Sequence, residues 1–464
     1  MYGVDYKNRF FMCNAYRYAK ILSEDVLDFS TFVKVKKVLI ITYYWPPSGG
    51  GGVMRWLKMS KYLPENGWQP IVYTPSNPDG SVVDNSLQTE VGESVEVLQT
   101  PIWEPYDLYR SITGRKKGEK FKAGYISEAS SSDWKGKLSV FIRGNILIPD
   151  PRMFWVRPSV KYLKSYLKNN HVDAIVTTGP PHSMHLIGLG VKKAFSDIKW
   201  IADFRDPWTD IDFYSSLKLT RWADKKHHRL EKQVLLNADH VVTVSPSWQT
   251  DLAAKANVHV DLVNNGFDHS DYTNLEEALD NDFTICHLGA LNMDRNPHAL
   301  WQALGEMCSS DHVFKGKLRI KLIGQTDESV LASIIDKGLG DNLDLIAHLP
   351  HKEGLKQLKS SQILLLPIND TENAMGILPG KMYEYLAVQR PILAIGPTRA
   401  DFAKIITDTN AGMCFGFDDS EGVKAALLQS YDLYLSKKLE IQSDSFNTYS
   451  RQNQAAKFCQ LLDQ

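Results

Sequence analysis

From Lys36 onward the chain alternates short unbroken apolar runs with amphipathic segments of helical length. The runs at 38–42, 70–74, 173–177, 199–203, 239–244 and 258–263 lack the in-out alternation of a half-exposed strand, so they read as parallel strands buried on both faces. After an acidic connector at 276–282 the rhythm resumes with strands at 284–288, 318–323, 343–347, 363–368 and 391–395. Helix-length spacers between strands predict βαβ crossovers and hence an α/β fold of two doubly wound domains in tandem. The predicted boundaries are an N-terminal extension over 1–33, a first domain over 34–270, and a second over 271–445. In the last of these, a helix is predicted from Pro379, with Met382, Tyr385, Leu386 and Gln389 sharing its packed face.

Open parallel sheets bind ligands at the carboxyl ends of their strands, so the polar residues that follow each run matter most. A glycine run (Gly49 to Gly52) follows the first strand, where Gly51 and Gly52 allow a backbone to approach a phosphate or simply form a tight turn. It is neither GxGxxG nor GxxxxGK[ST], and Thr74-Pro75 stands where a ribose-binding acid would close a dinucleotide fingerprint. Later strand ends deliver His182, Asp203, Arg205 and Asp206, predicted to converge on one cleft. Lys381 stands in a first helical turn and opposes the helix dipole unless an anion sits there; a surface pair with Glu384 is the alternative. Arg295, after the strand at 284–288, poses the same question beside a helix that Asp294 or Asn296 is expected to cap. Two such cations on one sheet edge are accounted for by a diphosphate.

Composition narrows the classes. The 464 residues are 43% hydrophobic and 23% charged with a formal net charge of −1, which gives no support for bulk nucleic-acid binding. The five cysteines have no metal-ligand spacing and suit a reducing compartment. No apolar run is long enough to span a membrane. Aromatic and basic residues between 105 and 140, among them Arg115, Lys116, Lys117 and Lys120, are consistent with a solvated loop or with contact to an anionic membrane or lipid-linked substrate.

In chain order the segments WPPSGGGGVMRW, GPPHS, ADFRDPW, VVTVSPSW, NNGFD, HLGALNMDRNP, LPGKMYEYLAVQRPILAI and YSRQNQAAKFCQLL resemble the bacterial family 4 retaining glycosyltransferases of the GT-B fold, over roughly residues 36–464. The resemblance implies two Rossmann-like domains facing across a cleft, with residues 446–464 crossing back to the N-terminal one. It implies a nucleotide-diphosphate sugar donor, UDP- or GDP-linked, and a glycan or lipid-linked acceptor of the kind used in surface-polysaccharide assembly. The expected location is cytoplasmic, with the inner face of the cytoplasmic membrane as an alternative. By position, Glu384 corresponds to the ribose-binding glutamate and Arg295 and Lys381 to the diphosphate-binding pair. Gly51, Gly52 and Gly289 approach the donor, Asn373, Gly376, Ile377 and Leu378 contact its sugar, and His348 and Leu349 lie near the base. His182, Asp203, Arg205 and Asp206 are the acceptor side, with His182 and Asp206 also candidate catalytic groups. No metal is implied by the resemblance. The pattern departs from Glu-x7-Glu, because Gly376 stands eight residues before Glu384. A nucleotide-sugar epimerase of the same fold, or a weakly active nucleotide- or glycan-binding homologue, are the competing readings.

Overall fold

The computed structural model describes residues 35–79, 83–105, 134–273, 275–441, 443 and 445–464. The expected extension over 1–33 and most of the basic, aromatic segment at 105–140 lie outside the described residues. Lys37 to Gln464 form one compact unit.

The N-terminal sheet has seven strands: β1 (Lys36–Ile41), β2 (Trp68–Pro75), β3 (Glu96–Thr100), β4 (Ala174–Gly179), β5 (Lys199–Phe204), β6 (His240–Thr243) and β7 (Asp261–Leu262). They run in the order β3-β2-β1-β4-β5-β6-β7, and every pair is parallel. The C-terminal sheet holds β8 (Phe283–Leu288), β9 (Leu318–Ile323), β10 (Leu343–Ile346), β11 (Ile363–Pro367), β12 (Ile392–Ile395) and β13 (Gly412–Phe415), in the order β10-β9-β8-β11-β12-β13 and again parallel. In each sheet the order reverses next to the first strand, which opens a crevice at that strand's carboxyl end.

Both faces of each sheet are covered. In β1, Leu39 and Ile41 pack with Trp155 and Trp200, while Val38 and Ile40 pack with Trp56 and Phe458 on the other side. In β8, Phe283 and Ile285 join Trp301, whereas Cys286 joins Tyr385 and Leu386. That two-sided burial is why the strands read as unbroken apolar runs. Strands β3 and β13 escaped the sequence reading because neither has such a run: β3 is a largely exposed edge strand, EVLQT, and β13 is four half-buried residues.

Nine helices carry the argument below: α1 (Gly51–Tyr62), α2 (Met153–Asn169), α3 (Ser183–Lys192), α4 (Pro246–Ala256), α5 (His298–Ser310), α6 (His351–Ser360), α7 (Gly380–Val388), α8 (Asp401–Asp408) and α9 (Arg451–Asp463). The last packs on the first: Trp56 meets Phe458 edge-on at 5.0 Å, and Lys199 Nζ donates to Leu462 O at 2.7 Å. Two local expectations are corrected. Gln389 is exposed rather than packed, because it is the C-cap of α7 in the left-handed region (φ 57°). Neither Asp294 nor Asn296 caps α5, whose N-cap is Pro297; Asn296 instead binds Ser333 and accepts from Trp301.

Candidate active site

The C-terminal half of the site is built around Lys381. Pro379 is the N-cap of α7; no side chain caps this end and no acid stands in its first turn. Its leading N–H groups are therefore open to an anion. Tyr385, one turn on, fixes the helix to the sheet by accepting from Leu288 N–H (3.1 Å) and donating to Leu365 O (3.3 Å). Lys381 Nζ lies 3.2 Å from His287 Nε2. His287 Nδ1 faces a carbonyl, Leu365 O at 3.0 Å, so it carries the ring proton and Nε2 accepts from the lysine. Burial, then the charge of Lys381, holds the His287 imidazole well below its ordinary pKa, so it is neutral.

Lys381 thus makes no ion pair among the described residues and leans on a neutral ring. Burial first, and the Arg295 guanidinium second, bring its pKa from 10.5 down to about 7. Gly289 (φ 119°) makes room for the ammonium: a Cβ there would stand 2.9 Å from Nζ. Arg295, in a 3₁₀ turn (Met293–Arg295), is oriented by its Nε bond to Asn369 Oδ1. An amine whose charge is penalised by burial and by a neighbouring guanidinium gains from an incoming anion.

Glu384, one turn beyond Lys381, does not pair with it. Its Oε1 lies 3.2 Å from Nε2 of His351, the first residue of α6, and this bond raises the His351 pKa above the ordinary 6.5. His348 is exposed and Leu349 half-buried just before α6. In the neighbouring loop Asn373 Oδ1 accepts from Thr371 Oγ1, Ile377 is half-buried and Leu378 buried.

Gly376 has a specific tertiary reason. A Cβ at that position would lie 2.3 Å from Nε1 of Trp248, which stands on α4 of the N-terminal half. No longer side chain fits in this arrangement, so the missing glutamate is replaced by close packing with an indole from across the cleft. Beside it, Ser247 N–H donates to Asp401 Oδ2 at 2.8 Å, so an acid of α8 caps α4 from the other half.

On the N-terminal side, Gly52 is pressed on Tyr44 (2.8 Å from a Cβ to the ring), whereas a Cβ on Gly51 would meet open space. Gly52 O accepts from Arg205 Nη1 at 3.1 Å, and Arg205 Nη2 donates to Pro180 O. Arg205 therefore ties the glycine loop to the loop after β4.

His182 is the N-cap residue of α3 and is 7% exposed. Its ring stacks on Trp208 (4.9 Å, 6°), and Trp208 is anchored through Nε1 to His227 Nδ1 at 3.1 Å. The N-terminus of α3 is filled by Asp150, which accepts from both N–H and Oγ of Ser183 at 2.8 Å. Burial, then His185 and Arg205, push the His182 pKa well down. Gly179 lets the imidazoles close over the strand end: a Cβ there would stand 2.7 Å from His185 Nε2 and 3.0 Å from His182 Nδ1. Asp206 is half-buried and unbonded among the described residues, with its pKa raised by burial despite Arg205.

Asp203 corrects the sequence reading. It is 0% exposed, and its oxygens are taken by Arg55 Nη2 (2.9 Å) and Nε (3.1 Å), Trp56 Nε1 (2.8 Å) and Thr178 Oγ1 (2.9 Å). Burial raises its pKa, but the Arg55 charge and these donors outweigh that and hold it low. Asp203 locks α1 to β5, with both of its oxygens occupied by protein donors. The sequence reading gave no role to His287, His351, Asn369, Trp208 and Trp248; Trp208 and Trp248 end quoted motifs and His287 opens one, while His351 and Asn369 lack a local signal.

Two tandem parallel sheets, each open at the carboxyl end of its first strand, define the GT-B architecture. Residues 128–271 match the family described as Glycosyltransferase Family 4. The fold is similar to that of sucrose-phosphate synthase from Thermosynechococcus elongatus (TM-score 0.54, 12% identity, 92% of this chain and 94% of that one). It is similar to an E. coli structure described as trehalose-6-phosphate bound with UDP-2-fluoro glucose (TM-score 0.56, 11% identity, 92% and 99%). A third is a point mutant of S. aureus TarM in complex with Fondaparinux, alpha-GlcNAc-glycerol and UDP (TM-score 0.55, 11% identity, 92% and 100%). The search of curated proteins by sequence found no match. Among the described residues no helix is long and apolar enough to cross a membrane.

Proposed function

We propose that this protein moves a sugar from a UDP- or GDP-linked donor to a glycan or lipid-linked acceptor, with retention of anomeric configuration. The observation that carries the proposal is Lys381: a half-buried lysine with its pKa near neutral, partnered by a neutral imidazole, at an uncapped helix N-terminus beside Arg295. A donor diphosphate supplies the missing charge. As the bond from anomeric carbon to phosphate oxygen breaks, negative charge builds on the β-phosphate. Lys381, Arg295 and the N–H groups of Gly380 and Lys381 stabilise it, a contribution of the oxyanion-hole kind. These cations do the work of a metal ion in this reading. Glu384 accepts from the ribose hydroxyls, with His351 released or retained as its neighbour.

On the acceptor side Asp206 is a carboxylate with no bond among the described residues, and His182 a neutral ring fixed by Trp208. Both orient the acceptor hydroxyl, whose proton passes to the departing phosphate on the same face of the sugar. The test compares two variants on a donor that protects the protein thermally. Lys381→Ala is expected to lower turnover by about 10²–10³, the range for loss of one transition-state donor. Asp206→Asn is expected to raise the acceptor KM with a smaller effect on donor hydrolysis. Equal loss of nucleotide-sugar hydrolysis in both would sink the assignment, and nucleotide release independent of acceptor would favour an epimerase.

A further inference from the structure

Helix α2 reads MFWVRPSVKYLKSYLKN and contains four cations and no carboxylate. Phe154, Arg157, Lys161, Lys164 and Lys168 follow one another at intervals of three or four residues, which sets them on one stripe of the helix. All five are exposed, and none of the four cations joins an ion pair or hydrogen bond among the described residues. From Arg157 to Lys168 the stripe runs roughly 17 Å along the axis. Along its flank lies a shallow groove of about 490 Å³, floored by Val156, Val160 and Leu186.

The head of the stripe is a built feature. Phe154 (40% exposed) meets Trp103 (59% exposed) edge-on at 4.8 Å. The backbones carrying this pair are held by the Arg152–Glu104 ion pair at 3.1 Å, whose carboxylate is 3% exposed. The acidic Glu96 is bonded to Tyr166, a helix position off the stripe. This end of α2 adjoins the acceptor side, because Asp150, three residues before the helix, caps α3 next to His182.

We propose that this face docks on an anionic phospholipid surface, with the cations at the headgroups and the Trp103–Phe154 pair at the acyl boundary. A row of cations alone suits any polyanion; a row headed by two exposed aromatic rings and flanked by an apolar groove suits one that also rewards apolar insertion, which is a bilayer. The inference is independent of the donor reading, since vesicle binding and nucleotide binding are measured separately.

The full chain is sedimented with vesicles of phosphatidylcholine alone and of phosphatidylcholine mixed with phosphatidylglycerol, and run on heparin as a soluble polyanion. Binding to the mixed vesicles only is expected. Each cation near an anionic surface contributes roughly five-fold, so Lys161→Glu, Lys164→Glu and Lys168→Glu together are expected to lose about a hundred-fold or more. Trp103→Ser with Phe154→Ser is expected to cut vesicle partition roughly ten-fold and leave heparin retention unchanged. These side chains are exposed, and an unchanged thermal transition checks that each variant is folded. Equal binding to neutral and anionic vesicles, or no binding to either, overturns the proposal. So does heparin binding with vesicle partition indifferent to the aromatic pair, the outcome for a soluble polyanionic partner.

Discussion

Binding of the donor should draw a proton from solvent at mildly alkaline pH. Lys381 has a pKa of about 7 in the free protein because burial and Arg295 penalise its charge, with Glu384 acting weakly the other way. A bound diphosphate restores the charged form. Near pH 8 about nine in ten free molecules carry a neutral amine, so complex formation takes up roughly 0.9 proton. A nucleotide-sugar is the right ligand, since its diphosphate diester does not itself titrate there. Kd is then expected to weaken about a hundred-fold from about pH 6 to about pH 9, or ~2.7 kcal/mol. Calorimetry in buffers of different ionisation enthalpy reads the proton directly. The His351–Glu384 pair works in the opposite sense: if the ribose takes Glu384, the raised His351 pKa falls and a proton is released, at lower pH. His351→Gln therefore leaves the alkaline uptake intact, whereas Lys381→Met abolishes it. Tight binding near pH 8 with no buffer-dependent heat would refute the reasoning. The same shift has a stability sign. Because the folded pKa is depressed below 10.5, charging Lys381 costs stability fully below about pH 7, and that cost fades as pH rises toward the unfolded value. Lys381→Met is expected to stabilise the free protein by ~2 kcal/mol at pH 6, with half the nominal shift discounted for screening and relaxation; urea denaturation measures it.

Three further outcomes follow from the geometry. Asp203→Asn leaves the buried Arg55 charge uncompensated and should cost about 3–5 kcal/mol in urea denaturation, with little effect on acceptor KM in the protein that remains folded. Gly376→Glu, which restores the family pattern, drives a side chain into Trp248 and should lose about 1–3 kcal/mol, with Trp248→Ala in the same chain recovering part of it; additive losses would show that the two residues do not meet. Glu384→Gln should weaken nucleotide binding by about 1.5–3 kcal/mol and erase discrimination between ribose and 2′-deoxyribose in calorimetry, as expected for loss of charge-assisted hydrogen bonds.

Much of the architecture was readable without coordinates because parallel strands covered on both faces leave a local mark. Unbroken runs such as Val38 to Ile41 and Leu364 to Leu366 need apolar residues at every position. Turn chemistry was local too: an uncapped helix start with Lys381 in its first turn is visible within a few residues. Where exposure dilutes the pattern, as in β3, the strand went unseen.

The division of labour among the polar residues was decided by tertiary structure alone. Asp203, Arg205 and Asp206 lie within four residues of one another, yet one locks the core to Arg55, one ties two loops through carbonyls, and one has no bond among the described residues. Nothing local separates them, because which face of a strand end meets a partner depends on residues more than a hundred positions away. The same holds for Lys381, whose lowered pKa comes from burial beside His287 and Arg295, and for Gly376, whose missing side chain is explained only by Trp248. Periodicity reports what the chain does to its own neighbours; charge, burial and close packing are set by contacts that only the completed fold creates.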